Sequence, residues 1–122
     1  MWIFCQSTGK FSNADATLSA IGYSGNGEDL DDPSAQEVKD HGPIPQGKWL
    51  IGEFFDQVPG KGPVICTLTP DAETETYGRS GFMIHGDNKA ADHTASEGCI
   101  ILPRQMREAI RDSKDHVLQV IA

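Results

Sequence analysis

The chain has 122 residues, with 10 Lys and Arg against 18 Asp and Glu and a formal net charge of −8. A chain of this length buries roughly two-thirds of its unfolded surface without disulfide staples, so residues 1–122 read as one domain. The acid excess argues against nucleic acid as a partner, because phosphate binding needs concentrated positive charge, and no stretch approaches the roughly 20 apolar residues of a membrane span.

In chain order, residues 2–6, 17–22, 48–55, 64–69, 81–85, 99–102 and 117–121 are rich in β-branched and aromatic types and are separated by Gly, Pro, Asn and Asp clusters. Each is an expected strand, and the rhythm predicts a mainly β fold, a curled β-sheet or sandwich. Residues 26–41 are acidic and poor in strand formers, which suits a long surface loop flanking a cleft. Gly42-Pro-Ile-Pro-Gln-Gly47 is a rigid turn by composition. Pro103 suits the first position of a short C-terminal helix running to about Lys114, with Met106, Ala109 and Ile110 on one apolar face. No repeat or linker interrupts the chain.

Charge is unevenly spread. Residues 1–78 carry four Lys and Arg against twelve Asp and Glu, whereas residues 79–122 carry six of each. Cys5 and Cys66 stand in apolar, strand-like contexts that suit small buried hydrophobes, and a Cys5–Cys66 bridge stays open. The opening Met1-Trp-Ile-Phe-Cys has no basic leader, so a secretory signal peptide is not expected.

The stretch from Ile84-His-Gly-Asp87 to Ser96-Glu-Gly-Cys-Ile100 carries the chemistry. His85 and Cys99 pair an imidazole with a thiol, and such a histidine raises the thiolate fraction and later protonates a leaving group. Glycine beside the nucleophile lets backbone N–H groups, here those of Gly98 and Cys99, approach a developing oxyanion. The competing reading is a buried strand-end cysteine with a satisfied core histidine. Asp87, Asp92 and His93 invite a metal site with His85 and Cys99, but no paired ligands at short spacing support one, so neither metal nor cofactor is expected.

His-Gly, a loop, then Ser-x-Gly-Cys-Ile resembles the active-site signature of the L,D-transpeptidase (YkuD-type) enzymes of bacterial peptidoglycan. Gly22-Tyr-Ser-Gly-Asn-Gly27, His41-Gly-Pro-Ile-Pro-Gln-Gly-Lys-Trp49 and Tyr77-Gly-Arg-Ser-Gly-Phe-Met-Ile-His-Gly-Asp87 are similar to the compact L,D-transpeptidase effectors of type VI secretion. The resemblance runs from about Trp2 to Arg104. It departs from the broad pattern at Glu97, where most of those enzymes have histidine, and at Ile101, where they have arginine; Arg104 is a candidate to take the arginine's place.

The resemblance implies a Cys99 nucleophile, His85 as general base and then acid, and a Gly86 carbonyl that fixes the imidazole tautomer. Ser96 would order the turn through its hydroxyl, and Asp87 would support the loop. It also implies a substrate, the tetrapeptide stem of peptidoglycan, cut before its terminal D-alanine and passed to water, a free D-amino acid or a neighbouring stem. Arg79 is a candidate carboxylate clamp or a structural ion-pair partner, since a guanidinium fork suits a carboxylate. Tyr23 and Trp49 could stack on sugars or line the peptide groove, with core packing equally open for Trp49. An effector of this kind is made in the cytoplasm and acts in the periplasm of a target bacterium, with a secretion apparatus and a cognate immunity protein as partners. Two alternatives stand beside it. One is a catalytically silent peptidoglycan-binding or adaptor module; the other, a papain-like peptidase, places its cysteine before its histidine, the reverse of this order.

Overall fold

In the computed structural model, residues 1–56 and 63–122 are described. Among them run β1 (Trp2–Cys5), β2 (Lys10–Asn13), β3 (Ser19–Ile21), β4 (Tyr23–Ser24), β5 (Gly47–Phe55), β6 (Ile65–Pro70), β7 (Met83–His85), β8 (Ile100–Ile101), α1 (Arg104–Ser113) and β9 (Val117–Ile121). The strands form one sheet in the order β3-β2-β1-β9-β5-β6-β7-β8-β4. β1 and β9 pair in parallel, as do β7 and β8, and the other pairs are antiparallel. The protein is therefore mainly β with one short helix, as its sequence pattern predicts.

The curl of the sheet follows from one residue. β3 and β4 occupy opposite edges of the sheet, yet only Gly22 separates them in sequence. The two edges must therefore come together, and the sheet is nearly closed. Gly22 N–H donates to the Gly9 carbonyl at 2.8 Å, and a β-carbon on Gly22 would lie 1.9 Å from the Ile101 oxygen, so no larger residue fits the seam. Residues 17–22 are thus not one strand. The chain leaves one edge at Ile21 and joins the other at Tyr23.

β2 is absent from the sequence expectation because Lys10-Phe-Ser-Asn is short and mostly polar; it forms because its backbone pairs with β1 and Phe11 is fully buried. Pro103 is the residue capping α1 rather than its first turn, with extended backbone at φ −60° and ψ 152°. Residues 26–41 contain two single 3-10 turns, Gly27–Asp29 and Pro33–Ala35.

The main core gathers Trp2, Phe4, Phe11, Trp49, Ile84 and Ile100, and α1 adds Met106 and Ile110. Each such side chain contributes about 1.5–3 kcal/mol by leaving water. Trp49 is core, not groove: it is fully buried, meets Phe82 edge-on at 5.0 Å, and its indole N–H donates to the Pro45 carbonyl. No bridge joins Cys5 and Cys66, which are both free thiols. No helix of the described residues is long and apolar enough to cross a membrane.

Candidate active site

β7 and β8 are parallel neighbours, with Ile84 opposite Ile100 and His85 opposite Ile101. Because side chains alternate along a strand, His85 and Ile101 face one side of the sheet while Ile84 and Ile100 enter the main core on the other. Cys99, two residues before Ile101, falls on the His85 side. It packs there against Tyr23 and Ile101, with Met83 and Ala95 alongside. The sheet thus brings the histidine that ends β7 and the cysteine that leads into β8 to one face.

His85 is 2% exposed, and its Nδ1 lies 2.8 Å from the Gly86 carbonyl. A carbonyl only accepts, so Nδ1 carries the proton and Nε2 is the basic nitrogen. Gly86 itself is closely covered, since a β-carbon there would lie 2.7 Å from Arg107 Nη2.

The turn before the cysteine is held from three directions. Ser96 is fully buried, and its hydroxyl donates to the Cys99 carbonyl at 2.6 Å while accepting from Gly98 N–H at 3.1 Å and Gly25 N–H at 2.9 Å. Ser24 donates to the Gly98 carbonyl, and the Asn26 amide donates to the Ser96 carbonyl. Arg79, 6% exposed, lays its guanidinium 5.2 Å from the Phe82 ring centre. Its Nη1 donates to the Gln36 and Pro43 carbonyls and its Nη2 to those of Gly42 and Glu97.

Two expected roles change with this geometry. Gly98 N–H is engaged by the Ser96 hydroxyl, and Gly98 contributes its conformation, φ +135°, to the turn. Arg79 meets carbonyls with all four of its Nη hydrogens, so its fork braces residues 36–43 against the Glu97-Gly98 turn and is not open to a carboxylate. It still acts electrostatically. Burial lowers the Arg79 pKa, while the charges of Asp40 and Cys99 work to raise it.

Cys99 borders a cavity of about 300 Å³ walled by Lys39, Asp40, Arg79, Phe82 and Ala95 among others. The loop of residues 26–41 therefore reaches the cleft. Tyr23 is 4% exposed, and its hydroxyl donates to Asp87 at 2.7 Å and accepts from Ala95 N–H at 3.2 Å. Burial and the Asp87 hydrogen bond push its pKa well up, so it stays neutral; it ties two segments together and has no face for a sugar. Arg104 is exposed and sits 3.7 Å from Glu108 on its own helix. His93 is an exposed loop residue at φ +63° whose ring meets the Tyr23 ring edge-on at 4.9 Å. Among the described residues no three His, Cys, Asp or Glu side chains group as metal ligands.

Sequence reasoning missed Ser24, Asn26 and Arg107. Each acts through backbone carbonyls or amides distant in sequence, which no local motif marks. A family model described as the Tlde1 domain matches residues 19–121, a span that includes every residue of this site. No curated protein matches the chain.

Proposed function

Since the chain belongs to the Tlde1 domain family, the type VI secretion L,D-transpeptidase effectors, we propose that it modifies peptidoglycan by acyl transfer through a Cys99 thioester. One observation carries this reading: His85 at the end of β7 and Cys99 at the entry to its parallel neighbour β8 fall on the same side, with the histidine tautomer set by Gly86 so that Nε2 is the base.

In the reaction, Cys99 Sγ attacks the carbonyl between the L-centre of meso-diaminopimelate and the terminal D-alanine of a tetrapeptide stem. The thiol proton passes to His85 Nε2, and the developing oxyanion meets the Cys99 N–H. Collapse breaks the C–N bond, and His85 returns the proton to the departing D-alanine amine. Water or a free D-amino acid then attacks the thioester and restores the thiol. A cavity of about 300 Å³ at Cys99 suits one stem end better than two stems held together. Exported by a type VI apparatus into a target periplasm, such an enzyme would deplete the tetrapeptide donors of that cell's cross-linking enzymes, and the producing cell would require an immunity protein.

The test is direct. Disaccharide tetrapeptide is incubated with the protein, with and without excess D-methionine, and products are separated by mass. Tripeptide and D-methionine-exchanged tetrapeptide should dominate. A majority of cross-linked dimers would overturn the acceptor assignment, and binding to sacculi without any product would identify a silent wall-binding module.

A further inference from the structure

Arg107 stands on α1 at 6% exposure. Its Nε donates to the Leu102 carbonyl at 3.0 Å, and its Nη1 donates to the carbonyls of Pro63 and Val64. Among the described residues no carboxylate forms an ion pair with it; the side-chain pairs of α1 are Arg104–Glu108 and Arg111–Asp112. Burial and the neighbouring Arg104 charge both lower its pKa, with Glu108 opposing them. A buried cation answered only by neutral carbonyls is costly, and such charges are ordinarily paired. Its guanidinium packs against Gly86, where a β-carbon would lie 2.7 Å from Nη2.

That guanidinium borders a second cavity, of about 370 Å³, shared with Tyr23, Asp87, Ile101, Pro103 and Arg104. The N-terminus of α1 opens there as well, adding positive potential beside the two guanidinium groups. The exposed Asp87 supplies a negative group to the same cavity. Tyr23 and Ile101 also pack on Cys99, and Ile101 is the ladder partner of His85, so this cavity adjoins the catalytic pair.

We propose that the second cavity is the site of the acyl acceptor, a free amino acid whose α-carboxylate binds Arg107 and Arg104 and whose amino group lies toward Asp87 and His85. The inference rests on the thioester reading above. The bound ammonium loses one proton to solvent, and the neutral amine attacks the thioester carbonyl. A C–N bond forms, the C–S bond breaks, and the surplus amine proton passes through His85 to the Cys99 sulfur. Arg107 and Arg104 touch the acceptor and not the donor stem.

Binding is measured on the intact protein by following the Arg Nε–Hε resonances in nitrogen–proton NMR while D-methionine is added, with D-methioninamide as the probe lacking a carboxylate. Saturable shifts at Arg107 with D-methionine and none with the amide are expected. In the Arg104→Gln variant, which alters an exposed side chain and so leaves the fold testable, binding should weaken about tenfold. Its ratio of exchanged tetrapeptide to tripeptide should fall by a similar factor. Equal shifts with the amide, no shift at Arg107, or an unchanged product ratio overturns the site. Absence of tripeptide from the wild-type reaction would instead remove the thioester reading, since the binding measurement uses no turnover.

Discussion

The Arg79 Nη2 nitrogen lies 2.6 Å from the position a β-carbon on Gly98 would take, and the Phe82 ring edge lies 2.9 Å from it. The residue before Cys99, at a backbone angle of φ +135°, is therefore confined by a guanidinium that is itself fixed on four carbonyls. Gly98→Ala should lower stability by about 2–4 kcal/mol, from backbone strain and overpacking together, and reduce turnover with it. Urea unfolding and product assay decide the matter: an unchanged midpoint with wild-type turnover would show that the cradle does not set the turn.

Cys99→Ala and His85→Ala should each reduce turnover by about three orders of magnitude or more while leaving the circular dichroism spectrum unchanged, since groups that act as one unit fail together. Retention of above about a tenth of wild-type activity in either variant would sink the nucleophile and base assignment.

Ser96→Ala removes the hydroxyl that serves Gly25 N–H, Gly98 N–H and the Cys99 carbonyl. Leaving buried amides unsatisfied should cost about 2–4 kcal/mol in chemical denaturation, and Ser96→Thr should recover part of it. A variant as stable as the wild type would mean that water takes over the hub.

Thiol chemistry should separate the three cysteines. Burial pushes the Cys66 thiol up to about 12. Burial also acts to raise Cys5, but hydrogen bonds from Ser7 and Thr8 outweigh it and the thiol ends below its ordinary value. Cys5 is half-buried rather than enclosed, which corrects its expected apolar setting. Brief alkylation at neutral pH should therefore label Cys99 and Cys5 before Cys66, and in a Cys5→Ser protein inactivation should follow labelling of Cys99 alone. Peptide mapping reads this, and early Cys66 labelling would contradict it. Activity should also survive EDTA.

Asp31 provides a pH signature. Burial raises its pKa, against a hydrogen bond from Ser24 N–H and the nearby His93 charge. A carboxyl whose folded pKa exceeds its unfolded value, about 3.9, holds its proton more readily in the native state, so its contribution to stability falls as pH rises through that window and then levels. Asp31→Asn should thus match the wild type below the window and exceed it at neutral pH. A stability difference that stays constant across pH would refute this.

Much of the site was legible in the chain because its chemistry is local. His85-Gly86 and Ser96-x-Gly98-Cys99 are contiguous, and alternating β-branched residues flank them, so strand ends carrying an imidazole and a thiol could be expected without coordinates. The loop at 26–41 and the helix after Pro103 were legible from acidity, proline and a helical apolar period.

The amino-acid sequence by itself determined the β character, the single short helix and the setting of an imidazole and a thiol beside strand segments, since these depend on residue type and short-range periodicity. Only the tertiary structure decided that Gly22 closes the sheet between two strands at its opposite edges, that Arg79 is a brace, and that Arg107 stands buried beside Gly86. Those outcomes rest on backbone carbonyls and amides, which every residue carries alike. A guanidinium's partners some 18 to 43 residues away in the chain therefore leave no mark in the order of side chains.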